Sequence, residues 1–377
     1  MKKYLSKSKV IAGVLAGAMF LTACAGGGTQ PAAPTEPTAP AAETQQAETT
    51  PEPAANGGLE TVVLYSNAIS GGRGEWLQER AAEEIGIDLQ LVDAGGVAIR
   101  NRLVAERYNP LGDVVFGLNQ LLWVDMVNYD IITPYTPSWG NDVPAELNHP
   151  DGYFYAVALV ANLLVYDTSQ VDAENAPSDW LDLWQNEYWH GRHAFSQALT
   201  GSTTHMILSG ILSRYLDENG HLGISDEGWA QIEGKYSTGV NLLGEDLYAE
   251  MTNPNNNVAM GQMWHMGIAG REEQFGVVSD FIVPAVGVPF SVEGVALING
   301  ANNPEAAKRF IDWFGSAETM NAFAQEFDYL PANPNALAGL SDFTIIISEL
   351  PHQNIDWDAI APRMDEWLEH IYLTYKG

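Results

Sequence analysis

The chain has a single cysteine, Cys24, among its 377 residues, so an internal disulfide is excluded and burial of a hydrophobic core must stabilise the fold. Basic residues are also scarce: 17 lysines and arginines stand against 48 aspartates and glutamates, for a formal net charge of −31. This balance argues against nucleic-acid binding, which requires a basic surface, and against direct attraction to anionic lipid. We expect most of the acidic residues to be solvated surface, which favours solubility.

The apolar run at the N-terminus, 10–21, is shorter than the roughly 20 residues that a membrane-spanning helix needs. Four lysines precede it, and Leu21-Thr22-Ala23-Cys24 follows directly. A basic start, a short apolar core and a small-residue cleavage site are typical of a secretory signal. The last four residues also resemble the bacterial lipobox, which implies cleavage before Cys24 and lipidation of this residue; an ordinary secretory signal is the alternative. We therefore predict a signal peptide over 1–23 and an extracytoplasmic protein that is lipid-anchored to the cell membrane at Cys24.

Residues 24–58 are rich in Ala, Gly, Pro, Thr, Gln and Glu and contain no aromatic side chain. Such a segment cannot bury enough apolar surface to offset the entropy lost on ordering, so a flexible tether is predicted. The roughly 320 residues that remain are long for one core and natural for two lobes. In this part of the chain, short apolar segments typical of strands alternate with segments whose apolar residues recur at helical spacing. This alternation indicates an α/β fold. Pro304 suits the first position of one predicted helix, which runs to about Phe327.

Five segments resemble the family 1 extracellular solute-binding proteins, in the branch whose members bind ferric iron, thiamine, phosphonates or sugar phosphates. Each segment is short, and their order and spacing behind a lipobox and a tether carry the resemblance. They are VVLYSNA at 62–68, NPLGDVVFGLN at 109–119, VANLLVYDT at 160–168, EGVALINGANNPEAAKRFIDWFGSAE at 293–318 and DYLPANP at 328–334.

The resemblance implies a type II periplasmic-binding-protein fold, in which two α/β lobes are joined by two crossovers and the ligand lies in the cleft between them. We expect the crossovers near 156–162 and 288–293. The first lobe would then comprise 59–157 and 290–377, and the second lobe 158–289. Closure of the lobes would bury the ligand and create the surface that an importer recognises.

The implied function is that of the substrate-binding component of an ABC importer. Such a protein is a monomer without a catalytic step, a cofactor or a resident metal, and its partners are a small-molecule ligand and the permease. The expected ligand is a small polar organic solute with a phosphate or phosphonate group, and ferric iron is the alternative within the family. Iron needs hard oxygen ligands, in this family two neighbouring tyrosines, whereas this chain has no Tyr-Tyr pair; Tyr153 and Tyr155 are two residues apart beside the first crossover.

Candidate ligand residues of the first lobe follow predicted strands, where open α/β sheets bind ligands. Ser66 and Asn67 end the first strand, and Asn119 and Gln120 follow a short buried strand at 113–117. Their hydroxyl, amide and backbone groups suit a polar ligand, although ordinary polar turns explain such residues equally well.

The other candidates belong to the second lobe and to the second crossover. A polar segment precedes a helix, where hydroxyls and free N–H groups bind anions or merely cap the helix: Thr200, Gly201, Ser202 and Thr203. Trp264 and His265 are candidates to cover a ligand, donate to it or coordinate a metal, with core packing as the alternative. Glu293, at the second crossover, is a candidate acceptor for an amine or hydroxyl, or a hinge residue without ligand contact.

Enzyme motifs are missing from the chain: it has no G-x-S-x-G elbow, no P-loop and no H-E-x-x-H. His190 and His193 have no further His or Cys nearby, which favours a surface loop over a metal site. The 11 tryptophans keep a rival of another class open, a surface carbohydrate-binding or glycoside-cleaving lipoprotein with paired carboxylates. Five of them fall at predicted helix positions, which favours packing: Trp76, Trp180, Trp184, Trp313 and Trp367.

Overall fold

The computed structural model describes residues 58–196 and 199–375. The predicted signal peptide at 1–23, the predicted lipidation site Cys24 and almost all of the tether at 24–58 lie outside the described residues. Within those described residues, no helix combines the length and the apolar character that a bilayer crossing requires.

The strands other than β7 form one continuous path with the order β2-β1-β3-β11-β5-β9-β6-β8; β4 lies beside β11, and β10 and β12 lie beside β5. β1 pairs in parallel with β2 and β3, and β6 pairs in parallel with β8 and β9. Two parallel groups are thus joined by the antiparallel strands β5 and β11. The strand bounds are β1 Glu60–Ser66, β2 Ile87–Asp93, β3 Val114–Gly117, β4 Ile132–Thr133, β5 Tyr155–Asp167, β6 His193–Phe195, β7 Leu216–His221, β8 Val240–Asn241, β9 Met260–Trp264, β10 Ser279–Ile282, β11 Phe290–Ile298 and β12 Leu330–Pro331.

Helices connect and cover these strands, as expected of an α/β chain. Their bounds are α1 Arg73–Ile85, α2 Gly96–Glu106, α3 Gln120–Asn128, α4 Asp182–Gln185, α5 Ser202–Leu212, α6 Asp226–Thr238, α7 Leu247–Met251, α8 Ile268–Phe275, α9 Pro304–Phe314, α10 Ala317–Phe327, α11 Asp342–Ser348, α12 Trp357–Ile360 and α13 Met364–Tyr375.

Two chain passages connect the two sheets. β5 pairs with β11 up to Ala161 and with β9 from Asn162 onward, so one strand belongs to both sheets. The second passage enters β11, and the amide of Asn162 donates to the Pro289 carbonyl at 3.0 Å. The β5–β11 register shifts between Glu293 and Gly294, and such β-bulges often re-aim a side chain beside a functional site.

The hydrophobic core lies on both faces of the first sheet and continues in the second lobe. Leu64, Phe116 and Phe310 belong to the cluster on one face, and Ile99 and Trp123 to the cluster on the other. Each such side chain contributes roughly 1.5–3 kcal/mol when it is fully buried. The cores of the two lobes therefore fix the sheets whose strand ends carry the candidate site.

The C-terminal segment departs from the expected assignment of 290–377 to the first lobe. Ile360, Met364 and Trp367 lie in the hydrophobic cluster of the second lobe, with Trp184 and Ile211. The indole of Trp367 also donates to the Leu222 carbonyl at 2.9 Å. The final helix packs there because its apolar face meets the apolar surface of α5 and α6 after the chain leaves β12. The other lobe boundaries stay a prediction.

The five tryptophans at predicted helix positions pack, as that pattern favoured. Trp180, Trp184 and Trp367 are buried, while Trp76 and Trp313 are half-buried against the core of the first lobe. No row of exposed indoles of the kind that binds sugars is formed by these five side chains.

Candidate functional site

The carboxyl ends of β1 and β3 meet at one edge of the first sheet. Ser66 is fully buried, and its hydroxyl accepts a hydrogen bond from the Ala68 amide at 3.0 Å. The side-chain oxygen of Asn67 accepts from the Leu118 amide at 2.6 Å. Asn67 therefore joins the loops after β1 and β3, whereas Ser66 bonds within its own loop. Contact of either side chain with a ligand remains a prediction.

Two of the five non-glycine residues with positive φ in the described part of the chain lie at this edge. Leu118 has φ 56° and Asp328 has φ 52°, in the left-handed region that residues with a side chain rarely adopt. Each precedes a polar residue of the site, Asn119 in the first case and Tyr329 in the second. Such strain costs about 1–3 kcal/mol and persists mainly where function requires the geometry.

Asn119 links the two lobes. Its side-chain oxygen accepts from the Leu122 amide at 3.2 Å and so caps α3, as Asn does at helix starts. Its side-chain nitrogen donates to the Ser202 hydroxyl at 3.0 Å. Leu121 of the same helix lies in the hydrophobic cluster of the second lobe. The structure thus brings predicted residues from both lobes, Asn119 and Ser202, into direct contact.

The start of α5 faces this contact. Thr200 and Gly201 are exposed, while Ser202 and Thr203 are half-buried. Gly201 is the N-cap residue and supplies no side-chain cap. Backbone N–H groups at such a helix start have no intrahelical partner, and the helix dipole adds a partial positive charge. This end of α5 is therefore chemically suited to an anionic group.

Gln120 braces the second crossover. Its side-chain nitrogen donates to the Phe290 carbonyl at 2.9 Å, and its side-chain oxygen accepts from the Val292 amide at 3.0 Å. Both ends of the amide are therefore engaged with β11. The residue holds the strand that carries Glu293, and its ligand contact stays a prediction.

Trp264 ends β9, and His265 follows it, on the side of the second lobe. Trp264 is half-buried, and the guanidinium carbon of Arg271 lies 4.6 Å from its ring centroid. His265 is fully buried, and its Nδ1 accepts from the Ala161 amide at 3.1 Å. Burial lowers the pKa of His265 to about 4, against weaker backbone hydrogen bonds that raise it. At neutral pH, His265 is therefore a neutral side chain that ties β9 to the first crossover.

Glu293 is a buried residue of β11. Burial raises the pKa of Glu293 to about 7, and the positive charge of Arg73 and the nearby hydroxyl of Tyr329 oppose that rise. Burial, together with the negative charge of Glu293, raises the pKa of Tyr329 well above its ordinary value. The Tyr329 hydroxyl donates to the Ala68 carbonyl at 3.3 Å. These contacts join the hinge to the loop after β1.

Arg73 and Tyr329 were not among the residues predicted from the sequence. Arg73 is the one basic residue in the polar loop and helix start at 66–75, so its position after the first strand was an available signal. Tyr329 lies in the segment DYLPANP, where nothing in the local sequence distinguishes it from a core tyrosine.

The tyrosines and histidines considered for metal binding have other contacts. The Tyr155 hydroxyl donates to the Thr136 hydroxyl at 3.2 Å, and the Tyr153 ring packs against His149. His193 is a buried residue of β6 rather than part of a surface loop, because its strand lies between β8 and β9. Among the residues that the structure describes, no group of three or more His, Cys, Asp or Glu side chains is arranged to hold a metal ion.

Residues 109–361 match a family model described as bacterial extracellular solute-binding protein. This stretch is well over half of the chain. The chain belongs to this family. Proteins of the family are non-enzymatic transport components, so the prediction of a solute-binding protein that is not an enzyme is confirmed, and the rival of a glycoside-cleaving lipoprotein is overturned.

A relative and two solved structures agree with this assignment. A protein of Sinorhizobium fredii, described as a probable ABC transporter periplasmic-binding protein, is 34% identical over 318 residues, which cover 84% of this chain and 87% of the relative. Iron-bound HitA from Pseudomonas aeruginosa has a TM-score of 0.69 and 16% identity, covering 83% of this chain and 99% of its own. AfuA from Actinobacillus pleuropneumoniae with bound fructose-6-phosphate has a TM-score of 0.68 and 17% identity, covering 84% and 99%. The predicted two-lobed periplasmic-binding-protein fold is thus confirmed.

Proposed function

We propose that this chain is the substrate-binding component of an ABC importer and that it captures a small, polar, anionic organic solute of the phosphate or phosphonate kind in the cleft between its lobes. The observation that carries this proposal is a fixed positive charge at the edge where the strands of the first lobe end: the guanidinium carbon of Arg73 lies 5.7 Å from the ring centroid of Tyr329, and its charge acts on the buried Glu293. Arginine suits phosphate and carboxylate groups because its planar fork presents several donors.

The start of α5 supports the anionic part of the proposal from the other lobe. The half-buried hydroxyls of Ser202 and Thr203 lie at a helix start without a side-chain cap. Anions are stabilised at such an end by backbone N–H groups and by the helix dipole. A solute held between Arg73 and this helix start would touch both lobes, which is what closure over a ligand requires.

Ferric iron is the second candidate, since one structural neighbour is an iron-bound protein. The charges of this site favour ferric iron less than an organic anion. A ferric ion would meet the guanidinium of Arg73, and burial keeps Tyr329 a neutral phenol by raising its pKa well above the ordinary value. Tyrosine binds ferric iron as the anion, so ionising this side chain would add a cost that an organic anion does not meet.

Calorimetric titration of the purified full-length chain with inorganic phosphate, fructose 6-phosphate and ferric citrate tests the proposal. We expect an organic phosphate to bind and to raise the melting temperature by mass action. Arg73→Gln should weaken that binding at least about tenfold, because a hydrogen bond to a charged group contributes roughly 1.5–3 kcal/mol.

Arg80→Gln is the matched control, since Arg80 lies on the same helix and pairs with Glu84 at the surface; it should leave affinity unchanged. If only ferric citrate binds, and the complex shows the visible absorbance of iron–tyrosinate, the ligand is iron and not an organic anion. If the wild type and Arg73→Gln bind the organic phosphate with equal affinity, Arg73 does not hold its anionic group.

The lipid anchor is a further part of the proposal. Its support is the lipobox-like segment Leu21-Thr22-Ala23-Cys24 behind a short apolar run, followed by a polar segment without aromatic residues. A tether of this composition would keep the binding lobes close to a permease while leaving them free to turn.

A further inference from the structure

Two histidines from distant parts of the chain meet at the surface of the second lobe. His221 ends β7, and His370 lies on the final helix, α13. Their ring centroids are 4.8 Å apart. Two imidazoles that share one metal ion at a Zn–N distance of about 2.0–2.1 Å have ring centres roughly 5 Å apart. The separation of the two rings is therefore the one that a shared ion requires.

The ring nitrogens of this pair are accessible. The side chain of His221 is exposed, and its ring contacts the rings of Trp229 and His370. His370 is half-buried, and its Nδ1 lies 3.3 Å from the Thr374 hydroxyl oxygen, which leaves its Nε2 for a ligand. Metal-binding histidines are commonly arranged in this way, with one ring nitrogen on the metal and the other held by a hydrogen bond.

Hydrogen bonds from two buried indoles fix the backbone beneath the pair. The Trp229 indole donates to the His221 carbonyl at 2.9 Å. The Trp367 indole, on α13 with His370, donates to the Leu222 carbonyl at 2.9 Å. The two histidines are thus carried by segments whose relative position is already set. Ligands that are held in place before binding lose little freedom when the ion arrives.

Negative charge surrounds the pair. Glu366 lies about one helical turn before His370 and Glu369 directly precedes it, and both glutamates are exposed. The whole chain has a formal net charge of −31. A surface of this sign raises the local concentration of cations, which favours a metal ion over an anionic ligand at the two imidazoles.

We propose that His221 and His370 together bind one divalent transition-metal ion of the kind that imidazole prefers, Zn²⁺, Ni²⁺ or Cu²⁺. In the described part of the chain no third His, Cys, Asp or Glu completes a metal-binding group, so water fills the other coordination positions. The ion fastens α13 to the end of β7, beside the hydrogen bond from Trp367 to Leu222. The site uses none of the candidate solute residues and is independent of the proposed function.

Calorimetric titration with Zn²⁺ and Ni²⁺ tests this site on the full-length chain purified without a polyhistidine tag. His221→Gln and His370→Gln should each weaken binding at least about tenfold, because even groups that only orient a metal ligand contribute about 10–100-fold. His352→Gln, at another exposed histidine, is the matched control and should bind as the wild type does. Mg²⁺ should not compete, because it prefers oxygen ligands.

Fluorescence locates the bound ion. The Trp229 ring centroid is 4.5 Å from that of His370 and 6.2 Å from that of His221, so Cu²⁺ held by the pair should quench the emission of this tryptophan. The quenching should be lost in His370→Gln and reduced in Trp229→Phe. A chain with both histidines replaced by glutamine gives the background from Cys24 and the other histidines.

Hydrogen exchange tests the fastening of the helix. Zn²⁺ should slow exchange of the α13 amides in the wild type and leave it unchanged in the doubly substituted chain, because an ion that binds only the docked helix stabilises that state by mass action. No binding of either ion, or equal binding by the wild type and both single glutamine variants, overturns the metal site. Binding that depends on the pair without slower exchange in α13 overturns the fastening.

Discussion

The burial of Glu293 lowers the stability of the protein. Its carboxyl group is buried with one oxygen unpaired, and this burial raises its pKa to about 7. Functional groups of this kind commonly reduce stability, because the geometry that suits a ligand is not the one that the fold alone would choose. The cost at this residue is measurable without knowing the ligand.

The unliganded protein should lose stability as the pH rises from about 5 to about 7. The folded state keeps the Glu293 proton up to about pH 7, whereas the unfolded chain releases it near the ordinary glutamate pKa. The unfolded state then binds fewer protons, so the free energy of unfolding falls by up to about 1.4 kcal/mol per pH unit in this window.

Glu293→Gln should remove this component, which urea denaturation of both proteins at pH 5, 6, 7 and 8 would measure. The difference in unfolding free energy between Glu293→Gln and the wild type should grow with pH and level off above pH 7. A difference that stays constant with pH would mean that the carboxyl group is not buried in the unliganded protein.

Among single residues, those that follow a predicted strand were correctly placed near the site. Their contacts there were not predicted. Ser66, Asn67 and Gln120 lie where the sequence placed them, yet each engages a backbone group. The hydrogen-bond partners of these side chains lie up to 172 residues away, which local sequence does not encode. The same reason hid Tyr329, whose partner Glu293 becomes a neighbour only through the hinge.

Among the elements, the start of α3 contributes both to the stability of the helix and to the contact between the lobes. Asn119 caps the helix and also donates to Ser202 of the other lobe. A single side chain therefore serves the helix through its oxygen and the cleft through its nitrogen. Mutations at the two ends of this contact should separate the two roles.

Asn119→Ala should lower the free energy of unfolding by about 1 kcal/mol, because it removes the cap of α3. Ser202→Ala leaves that cap intact and should change the free energy of unfolding by less than about 0.5 kcal/mol. Both variants remove the contact between the lobes, so both should speed dissociation of a bound solute, as stopped-flow measurements would detect. An unchanged dissociation rate in both would mean that this contact does not hold the closed state.

Element boundaries were predictable where local chemistry sets them and failed where tertiary packing does. Pro304 starts α9 as expected, but the predicted helix to Phe327 is two helices that part at Gly315 and Ser316. Ser316 caps the second helix by accepting from the Thr319 amide. A Cβ atom on Gly315 would lie 2.0 Å from the Trp139 ring, a contact from a distant loop that helical spacing does not reveal.

At the scale of the whole molecule, the chain connects its lobes by β5, by β11 and by the segment that leads from β12 to α13. Arg100 of α2 interacts with Asp365 of α13 at 3.3 Å and with Asp125 of α3 at 3.4 Å. Because the Asp365 side chain is 74% exposed, this pair contributes at most about 1 kcal/mol. This ion pair therefore adds little to the contact between the lobes.

The proposed anchor gives a prediction for the intact protein in the cell. Cys24→Ser should move the protein from the membrane fraction to the extracytoplasmic medium. A serine hydroxyl cannot form the thioether bond to the lipid, and the chain has no other cysteine. Cell fractionation with immunoblotting measures the distribution, with Gly26→Ala as a control that should stay in the membrane fraction. Cys24→Ser in the membrane fraction would rule out lipidation as the anchor.

The α/β class and the approximate strand ends at which polar side chains collect could be predicted from the sequence, because hydrophobic period, turn residues and local order are properties of neighbouring residues. The two-lobed fold was predicted from the resemblance to known solute-binding proteins. The contact of Arg73 with Tyr329, the hydrogen bond from Asn119 to Ser202 and the packing of α13 on the second lobe became visible only in the folded chain. Those contacts join segments that are distant in the chain. They depend on the β-bulge at Glu293, on two strained backbone positions and on cores that form only when the whole chain folds.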